Sequence, residues 1–202
     1  MSASQPHRKQ IRYYEGVPHL HELTFSTYRR IPLLTNDPWR RILAKELNAA
    51  CEAEQYGLVA FVFMPEHVHL LVLPQHDLPR VSQLLGRTKR QTSIEIKEIL
   101  VKHRSPLLKR LTVRERPDRT CFRFWQEGPG FDRDLYSPKA IEASINYIHR
   151  NPVQRGLCRR AIDWKWSSAR YYVEGVEDPD LPRLTKLDPT WFRQFGIVMK
   201  FP

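Results

Sequence analysis

LVAFVFMPEHVHLLVLP, residues 58–74, decides how the rest of the chain must fold. Two runs rich in β-branched and aromatic residues, 58–65 and 67–74, flank a break at Pro65-Glu66. Short apolar runs bounded by a turn signal predict adjacent strands, and so tight a break predicts a hairpin. Two histidines, His67 and His69, interrupt the second run. Strand side chains alternate between faces, so both imidazoles share one face and Val68 takes the other.

Upstream, HLHELTFST (19–27) alternates as a strand, with Leu23 and Phe25 on one face. A loop over 28–36 carries Arg29 and Arg30. A helix is predicted from Asn36 or Asp37, either of which can cap it, with Pro38 suited to the first helical position. Trp39, Ile42, Leu43, Leu47, Ala50 and Cys51 recur at helical spacing, and Gly57 is the expected stop.

Downstream, 78–103 reads as a long amphipathic helix whose polar face is rich in Arg and Lys. Residues 104–120 read as basic and irregular, and CFRFWQ (121–126) as a strand before an EGPG loop. SPKAIEASINYIHRN (137–151) predicts a helix capped by Ser137, with Pro138 in its first turn and Pro152 as its stop. Ile141, Ile145 and Ile148 form its apolar stripe. In the aromatic-rich remainder, Trp164, Trp166, Tyr171 and Tyr172 read as core or docking residues, followed by a Pro- and Asp-rich linker around 177–190. The order strand, helix, strand, strand, helix, strand predicts a split βαβ unit. The fold class is therefore α+β, a ferredoxin-like antiparallel sheet with helices on one face, plus an added C-terminal helix and tail.

Composition narrows the partners. The 202 residues are 41% hydrophobic, enough for one compact domain with a real core. Lys and Arg number 33 against 22 Asp and Glu, a formal net charge of +11. That field attracts polyanions, nucleic acid first among them, although a basic protein without such a partner would have the same composition. Cys51, Cys121 and Cys158 lie far apart and form no metal spacing, so a reduced cytoplasm is expected. The N-terminus, MSASQPHRKQ, lacks the apolar stretch of a secretory signal, and no apolar run is long enough to span a membrane.

The chemistry rests on two pairs. Two imidazoles on one strand face can hold one divalent metal; the same pattern also fits two histidines on a solvent-facing strand. Tyr147 and Asn151 are four apart on the last predicted helix, one turn apart on a face bordering the isoleucine stripe. Asn offers a neutral oxygen acceptable to Mg²⁺ or Mn²⁺, and Tyr a phenolic oxygen that can attack phosphorus once deprotonated. A packing tyrosine and a helix-terminal asparagine would look the same.

FVFMPEHVHLLVL (61–73) resembles the histidine–hydrophobic–histidine segment of the HUH single-tyrosine transposases, and YIHRNPVQRGL (147–157) resembles their tyrosine-helix segment. WQEGPGFDRDL (125–135) and DWKWSSARYY (163–172) look like the branch of REP-associated tyrosine transposases, and the resemblance runs in order over 19–172. It implies that His67, His69 and Asn151 hold Mg²⁺ or Mn²⁺ and that Tyr147 is the nucleophile. It also implies a ferredoxin-like fold and a single-stranded hairpin DNA substrate cut and rejoined through a 5′-phosphotyrosine. A monomer is expected rather than a homodimer, in a prokaryotic cytoplasm at the nucleoid and with no membrane partner. The domain reading is a basic arm over 1–18, a catalytic domain over 19–175 and a C-terminal extension over 176–202. Arg29, Arg30, Arg87, Lys89, Arg90, Arg133, Arg150 and Arg155 are the candidate phosphate contacts.

Glu66 stands where the family usually has Asn; it is expected in the turn, outside the ligand set, where it could alter the turn or add a carboxylate near the metal. Two other classes compete. A non-catalytic regulator derived from a transposase would keep the basic face without needing a metal. A histidine-triad hydrolase would need a third histidine where Leu71 stands.

Overall fold

The computed structural model describes residues 20–76, 80–128 and 130–185; the expected arm over 1–18 and the end of the extension lie outside them. Strands β1 (Leu20–Ser26), β2 (Tyr56–Phe63), β3 (His67–Pro74) and β6 (Phe131–Leu135) form one antiparallel sheet in the order β2-β3-β1-β6. This is the expected ferredoxin-like order, with β1 and β3 at the centre.

Alternation along each strand divides the core. Leu23 and Phe25 of β1, Phe61 and Phe63 of β2, and Val68, Leu70 and Val72 of β3 face helices α1 (Asp37–Ala53) and α2 (Val81–Lys102). The opposite face presents Leu20, Val59, Val62, Leu71 and Leu135 to Ile141, Ile145 and Ile148 of helix α4 (Pro138–Gln154). Two helices thus cover one face, as expected, and the added helix covers the other. Asn36 caps α1 by accepting from the Trp39 backbone N–H, and Ser137 caps α4 by accepting from that of Ala140.

Strand β2 is at the sheet edge yet buried along its whole length. The tail shields it: the Phe63 backbone N–H donates to the Trp166 carbonyl, and those of Ser168 and Thr185 donate to the carbonyls of Phe61 and Leu58. Trp164 donates its indole N–H to the Phe63 carbonyl and Tyr172 its hydroxyl to the Val59 carbonyl, so these aromatics dock the tail. Covering an open edge in this way removes a template for unwanted strand pairing.

Four sequence expectations are corrected. Helix α1 ends at Ala53, not at Gly57, through a turn in which Gln55 takes φ 52°. Gly57 belongs to β2, where a Cβ would come within 2.6 Å of the Thr185 side chain. Residues 104–120 are ordered: helix α3 (Pro106–Leu111) leads into a two-stranded ribbon, β4 (Thr112–Arg116) and β5 (Arg119–Phe122). The strand expected over 121–126 therefore contributes its first residues to that ribbon, and the fourth strand of the main sheet is β6. Its sequence, FDRDL, hides the strand because charged pairs replace apolar alternation: Arg133 meets Glu22, and Asp132 and Asp134 meet His21. Finally, α4 runs through Pro152 to Gln154, because near the helix end the missing N–H costs a single hydrogen bond and the next turn still closes from Arg155 N–H to the Asn151 carbonyl.

Candidate active site

The Pro65-Glu66 turn that starts β3 is clamped from outside. The Thr27 backbone N–H and hydroxyl both donate to the Glu66 carbonyl, and the Leu34 N–H donates to that of Pro65. From this anchored start, His67 and His69 both project to the α4 face, while Val68 is fully buried in the opposite core. The imidazoles are not on open surface: each is 5% exposed. Their rings meet edge to face, with the two Nε2 atoms 3.0 Å apart.

Helix α4 brings the second pair to the same point. The Asn151 amide nitrogen is 3.2 Å from His69 Nε2, and Asn151 is buried. The Tyr147 ring stands edge to face on His69 at 5.3 Å between centroids. Tyr147 itself is 43% exposed, so it packs on His69 while part of its side chain stays open to solvent. His149, two residues on, points elsewhere: its Nε2 lies 2.8 Å from the Ser168 hydroxyl, its ring packs on Tyr172, and burial lowers its pKa to about 4.

Outer contacts set the rings. His67 Nδ1 lies 3.2 Å from Glu66 Oε1, and His69 Nδ1 lies 2.8 Å from the Thr24 hydroxyl, its register partner on β1. Burial opposes the Glu66 charge, but His67 and the Arg155 guanidinium outweigh it and hold the carboxyl below the usual range. Burial also lowers His67 below the ordinary histidine value and His69 to about 3, so both rings are neutral near pH 7. A carboxylate only accepts, so His67 Nδ1 carries the proton and its Nε2 is a lone-pair donor. If His69 likewise donates from Nδ1 to Thr24, both Nε2 atoms present lone pairs to one point. An Asn151 amide turned oxygen-inward would add an oxygen to the two nitrogens, a donor set that suits a divalent cation.

The basic candidates separate by position. Arg155 and Arg30 converge on Glu66 Oε1, at 2.9 and 3.5 Å, and both arginine side chains are at least half-exposed. Arg133 pairs with Glu22, which shares the β1 face of Thr24. Arg150 is exposed on α4. Arg29 lies beside Arg30 and faces an open groove with Tyr28, Arg114 and Arg123. Arg87, Lys89 and Arg90 belong to α2, across the sheet from the histidines. There Arg87 pairs with Glu54, and Lys89 is half-buried over the Phe25 ring with its ammonium donating to the Gly128 carbonyl. His21, Asp132 and Asp134 form another group with ligand spacing, also on the α1/α2 side of the sheet.

Sequence reading missed one contributor. Thr24 becomes visible only once β1 is paired in register with β3. Glu66, expected in the turn, holds the His67 ring from behind.

Comparison with known proteins places this geometry. The family model described as "Transposase IS200 like" matches residues 18–113. A Haemophilus influenzae protein assigned as a REP-associated tyrosine transposase is 30% identical over 134 residues, which cover 64% of this chain and 68% of that one. The solved structure of a REP-associated tyrosine transposase bound to a REP hairpin superposes with a TM-score of 0.61 over 90% of this chain and 95% of that one; at 19% identity this is a likeness of fold. Among the described residues, no helix is long and apolar enough to cross a membrane. The relative shares most of its length with this chain, and the chain belongs to the REP-associated tyrosine transposases.

Proposed function

We propose that this chain cuts and rejoins single-stranded hairpin DNA, with Tyr147 as the nucleophile and His67, His69 and Asn151 as ligands of Mg²⁺ or Mn²⁺. The observation that carries this reading is the meeting of Tyr147 and Asn151 from α4 with His67 and His69 from β3. All four come from one chain, which supports a monomer; the catalytic unit is residues 19–175, acting in the prokaryotic cytoplasm at the nucleoid. The neighbour solved with a REP hairpin suggests the substrate class.

When bound, the cation supplies positive charge against a non-bridging oxygen of the scissile phosphate. Glu66 and Thr24 orient the two imidazoles for it. Tyr147 Oη forms a bond to phosphorus while the bond from phosphorus to the 3′ oxygen breaks. The products are a 5′-phosphotyrosine and a free 3′-hydroxyl. The phenol loses its proton and the departing oxygen gains one, so protons balance. A 3′-hydroxyl on another strand can reverse the step, so no nucleotide triphosphate is consumed. The phenol must lose its proton to attack, so its activation needs a base or a nearby positive charge.

The test is Tyr147→Phe. Tyr147 is 43% exposed and the substitution keeps its ring, so the variant should melt like the parent while losing at least about a thousandfold in cleavage and all covalent protein–DNA adduct. A variant that still forms the adduct overturns the assignment.

A further inference from the structure

More than half of the chain's +11 net charge lies in residues 102–123, which hold eight Lys and Arg against Glu115 and Asp118. These residues include the β4–β5 ribbon, a separate two-stranded sheet outside the main one. Its base is fixed: Leu111 is fully buried, and the Arg123 backbone N–H donates to the Leu111 carbonyl. Its tip is tied by Arg114, whose guanidinium donates to the Pro117 carbonyl. Arg114, Arg116 and Arg119 are exposed along it. Glu115 offsets part of this charge through Arg119 and Arg123, and Glu127 also pairs with Arg123; Arg116 makes no ion pair among the described residues.

The ribbon is connected to the catalytic pocket. At its base, Arg114, Arg123 and Gln126 line an open groove with Tyr28 and Arg29. The Arg29 backbone N–H donates to the Gln126 side chain, and the next residue, Arg30, reaches Glu66 beside His67. Arg29 and Arg30 both hold left-handed backbone, at φ 52° and 53°, which non-glycine residues rarely adopt in succession. Such costly backbone persists where surrounding structure demands it, and it is common at functional sites. Here it sets one arginine at the groove and its neighbour at the metal-side carboxylate.

We infer that the β4–β5 ribbon and its groove are a second DNA surface that grips the phosphates of the duplex stem, while the unpaired strand enters the pocket of Tyr147. The inference rests on the hairpin-DNA reading above. A two-stranded ribbon fits the width of a duplex major groove. Surfaces for unpaired bases use exposed aromatic platforms, and residues 112–121 contain none. The ribbon itself therefore offers charge without stacking groups, which is the chemistry of backbone contact.

The test uses the full chain with Arg116→Gln/Arg119→Gln, and separately Arg114→Gln, which also releases the tip. Each is titrated with a stem-and-flank hairpin and with the unpaired flank alone, across a salt series. The double variant should melt like the parent and bind the hairpin about tenfold more weakly. Its log–log salt slope should fall by about 2, because each arginine removed leaves one phosphate with its counterions. Binding and covalent capture of the flank alone should stay within about twofold of the parent. Unchanged hairpin affinity and slope overturn the inference, as does an equal loss on hairpin and flank, which would make the ribbon a general polyanion surface. A parent that forms no adduct on the flank instead fails the underlying transposase reading, which the two substrates keep separate.

Discussion

The two faces of β3 carry the same strand through different physics. On one, Val68, Leu70 and Val72 are fully buried against α1 and α2, and nothing on them is polar. On the other, Leu71 joins the apolar contact with α4, but the next two positions toward the turn are His67 and His69. The strand's residues are buried on both faces from His67 to Val72. The difference is that one buries carbon, which stabilises the fold directly, and the other buries neutral nitrogen, which needs partners. The histidines have them on their outer edge, in Glu66 and Thr24. Stability resides on the first face, and the proposed chemistry on the second.

Substitution can separate the two. The largest expected effect is functional: His69→Ala should lower hairpin cleavage by at least about a thousandfold, since a lost ligand removes several kcal/mol of charge stabilisation. Leu70→Ala, one residue away on the other face, should cost about 2–5 kcal/mol of folding stability. Urea melts decide the comparison. If His69→Ala is destabilised as much as Leu70→Ala, the division between the faces fails.

Next in size is Glu66→Gln. It removes the carboxylate behind His67 while keeping the side chain's length, and should weaken Mn²⁺ binding about 10–100-fold by calorimetry. An unchanged affinity would remove Glu66 from the site's support.

The smallest effect lies far from both faces. Asp180 bridges Arg41 and Lys165 and helps hold the tail to α1, and those partners lower its carboxyl to about 2. A depressed acid stabilises the fold above its unfolded value, near 3.9, and the contribution disappears as pH falls toward 2. Asp180→Asn should therefore lower the melting temperature slightly at pH 5 and leave it nearly unchanged at pH 2. The group is partly exposed, so the difference is small. Equal shifts at both values would assign the effect to packing and not to charge.

Some of this was legible locally. Alternation in 67–74 put both histidines on one face, and Tyr147 and Asn151 at a four-residue spacing put both on one side of their helix. Period and capping need only neighbours along the chain. The ribbon and β6 were not legible. Their residues are charged and form strands because partners from elsewhere satisfy them: Glu22 and His21 for β6, and within the ribbon Glu115, which meets Arg123. Propensity carries no record of a partner a hundred residues away.

The sequence by itself determined the first three strands and two helices of the split βαβ unit, the shared face of each pair and the resemblance that implies the ligands and nucleophile. Only the tertiary structure decided that the pairs meet, that α4 seals the second face, and that Thr24 and Glu66 set the imidazoles from behind. The physical reason is that periodicity says which side of an element a residue takes, whereas the distance between two elements is decided by the packing of every side chain between them.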